Sequence, residues 1–125
     1  MKASKQDLPV AFEADGVTSR QTVWGEMNVA LETFPAGLDT APVFKGLPDD
    51  RCQCPHYGYV LNGRMKIRHP DHEEVIEAGD IYYIEPGHIP LFEEDTEVVE
   101  FSPKGEYQKT MEVVRRNMAA MQHGQ

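Results

Sequence analysis

Apolar and polar positions alternate in short stretches along most of this chain, and the alternation gives way only near the carboxy-terminal end. Between Gln21 and Phe34, the residues Val23, Met27, Val29, Leu31 and Phe34 stand amid polar neighbours, with Gly25 as a candidate bulge and Pro35-Ala36-Gly37 as a stop. That pattern predicts one long strand or two short ones. Leu38 to Asp50 contains Pro42, Pro48 and the pair Asp49-Asp50, so it reads as a loop around a short strand from Pro42 to Lys45. Further short strands are expected at Tyr57 to Leu61, Met65 to Arg68, Glu73 to Glu77, Ile81 to Ile84, Ile89 to Phe92 and Glu97 to Phe101. Turn residues separate them at Asn62-Gly63, His69-Pro70-Asp71, Ala78-Gly79-Asp80, Pro86-Gly87 and Glu94-Asp95. Many short strands at close spacing argue for a sandwich or a barrel.

After Ser102-Pro103 the period changes. Glu106 to Gln122 holds no Pro or Gly, and Met111, Val114, Met118 and Met121 recur at helical intervals until His123-Gly124 ends the run. Such a helix either packs on the outside of its own barrel or docks on a second subunit, a use to which adaptable methionines are suited.

Composition narrows the partners. The 125 residues amount to one domain with one core. A formal charge of −9 works against nucleic acid and anionic membrane surfaces, both of which need clustered Lys and Arg. Neither the amino-terminal Met1 to Leu8 nor any other stretch carries the apolar run of a signal peptide or a membrane span, which implies a soluble cytoplasmic protein. The two cysteines, Cys52 and Cys54, would lie roughly 6.6 Å apart at Cα in an extended segment, on one face. A relaxed disulfide does not fit that geometry, so reduced thiols are expected.

Two glycines frame the most specific signal. The first segment runs from Gly46 through Cys52-Gln53-Cys54-Pro55-His56 to Gly63, and the second runs Gly79-Asp80-Ile81-Tyr82-Tyr83-Ile84-Glu85-Pro86-Gly87-His88-Ile89-Pro90. This frame resembles the paired metal-binding motifs of the cupins. His56 stands seven residues before Gly63, in the place of the family's Glu, while Asp50 and Cys52, or Cys52 and Cys54, occupy the His-x-His places. Pro90 takes the position of the second motif's histidine, with His88 two residues earlier. The resemblance covers roughly residues 40 to 102. It implies an all-β fold, the cupin double-stranded β-helix or jelly-roll barrel, with a core from about residue 20 to 102 and a C-terminal α-helix from about 105 to 122. It also implies a homodimer and a small-molecule ligand in the barrel.

If the face shared by Cys52, Cys54 and His56 points into the barrel, these residues and His88 form a candidate metal site. On a straight strand Cys52 and His56 would be about 13 Å apart, too far for one ion, so a bend is required and Pro55 is placed to supply it. Thiolates and imidazoles suit a divalent metal such as zinc or iron, and sulfur is too soft for magnesium or calcium. The alternative is that Cys52 and Cys54 are core residues, with His56 and His88 satisfied by hydrogen bonds. Asp50 has the weaker claim, because Asp49-Asp50 reads equally well as a solvated turn. A Cys54–His56 nucleophile and base is unoriented in an extended segment. His69 and His72 sit in a polar hairpin tip and are expected to be exposed, and His123 lies in the tail. Trp24, Tyr57, Tyr59, Tyr82, Tyr83 and Phe92 are expected in core or interface, with one of the Tyr82-Tyr83 pair facing inward.

Three functions remain open at this level. One is a metal-dependent dioxygenase or isomerase in which an inward Tyr or Glu moves protons. The second is a metal-free ligand-binding or sensory barrel, and the third is a purely structural protein. No phosphate-binding, dinucleotide or hydrolase motif is present in the sequence.

Overall fold

In the computed structural model, which describes residues 1–122, the alternation resolves into nine antiparallel strands and one carboxy-terminal helix. The strands are β1 (Val10–Ala14), β2 (Val17–Trp24), β3 (Met27–Phe34), β4 (His56–Asn62), β5 (Arg64–Arg68), β6 (Glu73–Glu77), β7 (Ile81–Ile84), β8 (Ile89–Phe92) and β9 (Thr96–Pro103). The helix α1 spans Lys104–Gln122. His123 and Gly124, where the sequence places its end, lie outside the described residues. Six strands form one sheet in the order β1-β2-β3-β9-β4-β7, and three form the other in the order β6-β5-β8. The two sheets make the jelly-roll barrel expected of the sequence.

Period-two patterning sets which side chains meet between the sheets. Met65 and Ile67 from β5, Tyr82 and Ile84 from β7, Val60 from β4, Val98 from β9 and Phe92 from β8 form the main core, with Phe34 and Leu38 packed against it. Phe34 and Phe92 stack with ring centroids 4.1 Å apart. A second cluster of Phe44, Cys52, Cys54, Tyr107 and Val114 lies beneath α1, flanked by Met111 and Met118. The methionine stripe is therefore turned onto the chain's own barrel. Asn117 pins the helix there by donating to the carbonyls of Val43 and Lys45, each at 2.8 Å.

Several boundaries differ from the sequence reading. Of the two alternatives for Gln21 to Phe34 the structure has two strands, because Gly25, at φ +60°, turns the chain between Trp24 and Met27, but the first of them begins at Val17. The sheet begins at Val10 rather than near residue 20, since β1 pairs with β2 through a bulge that interrupts its apolar alternation. Pro42 to Lys45 is not a strand. Ala41–Phe44 is a 3-10 helix, with Pro42 in its first turn where a missing N–H does no harm. His69 is 7% exposed rather than open to solvent, because the hairpin tip folds over it and Glu74 lies 3.3 Å from its Nε2. His72 is exposed, as expected.

Gly63, at φ +89°, closes the β4–β5 hairpin against the Asp95 carbonyl and Thr96, and an added Cβ there would overlap both. Gly63→Ala is expected to destabilise the fold by about 2–4 kcal/mol, through the left-handed backbone and the steric overlap together. Urea denaturation reads this directly. A midpoint equal to the parent's would show that the hairpin can open there without consequence.

Candidate metal centre

The segment before β4 leaves the sheet geometry at Pro55 and folds back so that Cys52 forms an isolated antiparallel bridge with His88. The Cys52 N–H donates to the His88 carbonyl at 3.0 Å, and the Cys52 carbonyl accepts from Gly87 at 2.8 Å. Gly87, at φ +95°, permits this tight return of the chain. The bend proposed at Pro55 is thereby realised, and it brings Cys52 beside His56 at the start of β4.

Cys52, His56 and His88 converge, with one ligand atom from each lying within 4.8 Å of the others. Cys52 Sγ is 3.7 Å from His56 Nε2, and the two imidazole rings meet nearly edge to face at 5.0 Å. Three residues are thus close enough to hold a metal ion. Cys54, the fourth residue singled out in the sequence, is fully buried beside them, but its thiol is directed at the Pro55 carbonyl, 3.5 Å away, and it does not join the group. Asp50 is elsewhere, accepting from the Gly46 N–H at 2.9 Å in a surface turn.

Hydrogen bonds at each Nδ1 orient the rings. His88 Nδ1 lies 2.6 Å from the Glu85 carbonyl, which can only accept, so the proton sits on Nδ1 and the Nε2 lone pair is free. That Nε2 is buried with no partner among the described residues, and a lone pair in this condition fits a metal ion. His56 Nδ1 faces Ser102 Oγ at 2.7 Å and Glu100 Oε1 at 3.1 Å, which turns its own Nε2 toward Cys52. Carboxylate–histidine and carbonyl–histidine contacts of this kind hold metal ligands in a single tautomer.

Burial governs the charges. It pushes His56 down to about 4 and, with His56 adding to the effect, His88 down to about 3, so both imidazoles are neutral at pH 7, as ligands must be. Burial likewise raises the Cys52 and Cys54 thiols to about 12. A metal at this site would have to displace the Cys52 proton.

Around the group lies a second polar set that the sequence reading did not name. Inward-facing residues of β9 run Thr96, Val98, Glu100 and Ser102, and those of β3 run Asn28, Ala30, Glu32 and Phe34. Their parity with buried apolar neighbours was the signal available in the sequence. Glu100 accepts from the Tyr82 hydroxyl at 2.7 Å, and Tyr82 is the inward member of its pair. Gly58 makes room for this contact, since an added Cβ would collide with the Tyr82 ring. Glu32 accepts from Ser19 at 2.7 Å. Burial raises both carboxyls well above the ordinary range, and Glu100 adds to the effect on Glu32.

These groups line a cavity of about 620 Å³. Its lining is polar at Cys52, His56, His88, Glu32 and Glu100, and apolar at residues such as Phe34, Phe92, Met111 and Met118. No helix among the described residues is long and apolar enough to cross a membrane.

Solved structures place this architecture. An RmlC-like cupin from Shewanella frigidimarina superposes with a TM-score of 0.58 at 16% identity, over 81% of this chain and 88% of the other. The polyketide cyclase RemF from Streptomyces resistomycificus gives 0.62 at 17% identity, over 83% and 79%. Ectoine synthase from P. lautus gives 0.58 at 14% identity, over 74% and 67%. The chain therefore has the cupin fold. No family model matches the sequence, and no curated protein is similar to it.

The titrations oppose each other in a way that solution stability can read. With His56 and His88 depressed, the unfolded chain binds more protons than the folded one below the ordinary imidazole value of 6.5, so stability falls as pH drops from there toward 3. With Glu32 and Glu100 raised, the folded chain binds more protons above 4.5, so stability falls as pH rises from there through neutrality. The metal-free protein is expected to show a broad maximum of thermal stability between these two values, with losses of about 1.4 kcal/mol per pH unit for each titrating group on either side. A melting temperature that climbs steadily from pH 5 to 8 would contradict the buried acidic pair.

Proposed function

We propose that the protein binds a small organic molecule in its barrel and that Cys52, His56 and His88 hold a divalent metal ion, zinc or iron, at the polar end of the cavity. The observation that carries this reading is the orientation of the donors: both histidines are fixed through Nδ1, and the buried His88 Nε2 has no partner among the described residues. Two imidazoles and one thiol form a nitrogen–sulfur set suited to zinc or iron, and three protein ligands leave a position for a further ligand. When bound, such an ion supplies Lewis acidity.

The chain's own groups do the remaining work in this reading. Glu100 holds the His56 tautomer through one oxygen and accepts a hydrogen bond from the Tyr82 hydroxyl through the other. The apolar wall of Phe34, Phe92, Met111 and Met118 binds the body of the ligand and excludes water. That a polyketide cyclase and an ectoine synthase share the fold supports a small organic ligand by analogy of fold. The reading carries with it a cytoplasmic location and a homodimer. The exposed row of Tyr57, Tyr59, Ile81 and Tyr83 on the larger sheet is consistent with a second copy packing there. Sedimentation at the mass of a single chain would overturn the dimer.

Elemental analysis of untagged protein purified under reducing conditions tests the metal. Near-stoichiometric zinc or iron is expected, retained in Cys54→Ser and lowered in affinity by about a hundredfold or more in Cys52→Ser and His88→Ala. No metal above background after reconstitution would leave a metal-free ligand-binding barrel, a reading that the cavity itself still supports.

A further inference from the structure

One hydrogen-bonded chain in the cavity plays no part in orienting the metal ligands. Gln21 Nε2, which can only donate, gives one hydrogen to Ser19 Oγ at 2.7 Å and the other to the Tyr107 hydroxyl oxygen. Each hydroxyl has thus accepted from Gln21 and must send its own hydrogen elsewhere. Ser19 sends its hydrogen to Glu32 Oε2 at 2.7 Å. The other carboxyl oxygen, Oε1, has no protein partner among the described residues, and the Tyr107 hydroxyl hydrogen has no protein acceptor among them. Glu32 and Tyr107 both line the cavity, and the part of Glu32 left uncovered by protein faces that space.

We propose that Glu32 and Tyr107 form a pair of hydrogen-bond donors for a carbonyl oxygen, so that the barrel's ligand is a largely apolar ketone, ester or amide with its oxygen end at this network. Direction is the reason. Because Oε2 accepts from Ser19, a protonated Glu32 presents its O–H from Oε1, and Tyr107 presents a second O–H. Both need an acceptor, and neither finds one among the described residues. Burial, reinforced by Glu100, keeps the Glu32 proton in place well above the ordinary carboxyl range, and burial also holds the proton of Tyr107. An apolar body matches the aromatic and methionine wall beyond them. The inference rests on the reading of the barrel as a small-molecule site and does not require the metal.

A fluorescent naphthyl ketone, 6-propionyl-2-(dimethylamino)naphthalene, tests it, because its emission moves to longer wavelength when its carbonyl accepts hydrogen bonds. The carbonyl-free analogue 2-(dimethylamino)naphthalene serves as the control for the cavity. At pH 6 the parent protein is expected to bind the ketone with red-shifted emission. Glu32→Ala and Tyr107→Phe should each weaken ketone binding about tenfold and shift its emission to the blue, as expected for one lost hydrogen bond in a buried site. Glu32→Gln, which keeps a donor, should stay within about twofold of the parent. The analogue should bind all four proteins alike, showing that the cavity is intact in each. Ketone affinity and emission unchanged in Glu32→Ala and Tyr107→Phe would overturn the donor pair while leaving the cavity reading in place. Failure of both naphthalenes to bind the parent would overturn the small-molecule reading and this inference with it.

Discussion

The antiparallel bridge between Cys52 and His88 is the contact on which the site depends. It joins the segment entering β4, which belongs to the larger sheet, to the segment entering β8, which belongs to the smaller one. Its backbone hydrogen bonds draw Cys52 and His88 together before any side-chain chemistry is considered. Pro55 lets the chain leave the strand direction, and Gly87 lets it return at a backbone angle that other residues rarely adopt. The three potential ligands are thus gathered by main-chain geometry. A metal would find them already assembled, so little ordering entropy would stand against binding.

A second constraint follows from closing a barrel around polar groups. The inward row of β9 passes from Val98 to Glu100 and Ser102, and the inward row of β3 places Glu32 on the same interior face as Ala30 and Phe34. Burying carboxyls and imidazoles without water carries a free-energy penalty that hydrogen bonds only partly offset. The structure limits that penalty by disfavouring the charged form of each group and chaining them through Ser19, Gln21, Ser102, Tyr82 and Tyr107. The chains consume most of the available donors and acceptors. What they leave over, the His88 Nε2 lone pair and the free sides of Glu32 and Tyr107, faces the space where a ligand would lie.

The helix α1 has a double role in this arrangement. Its methionine stripe covers the cluster of Phe44, Cys52 and Cys54 and at the same time supplies part of the cavity wall. Met111 and Met118 present unbranched, polarisable side chains that adapt to the shape of a guest more readily than branched ones. Tyr107, one turn earlier, ties the helix to the polar chain through Gln21. Packing of the helix and composition of the pocket are therefore coupled.

Much of the architecture was legible in the sequence, because strand alternation and turn residues are local properties. The strands from Tyr57 to Phe101 follow from period-two patterning, the helix from the spacing of Met111, Val114, Met118 and Met121, and the cupin likeness from the glycine frame around Gly63 and Gly79. The amino-terminal strand at Val10 escaped because a bulge interrupts its alternation, and Pro42 to Lys45 misled because apolar residues beside a proline serve a 3-10 turn as readily as a strand. The sequence alone determined that Cys52, His56 and His88 were candidates, since residue type and spacing are written there. Only the tertiary structure decided that Cys54 turns away, that His69 is covered, and that Glu32 and Glu100 join the same cavity. Those outcomes depend on which residues lie across from one another on strands far apart in the chain, and no local pattern encodes that pairing.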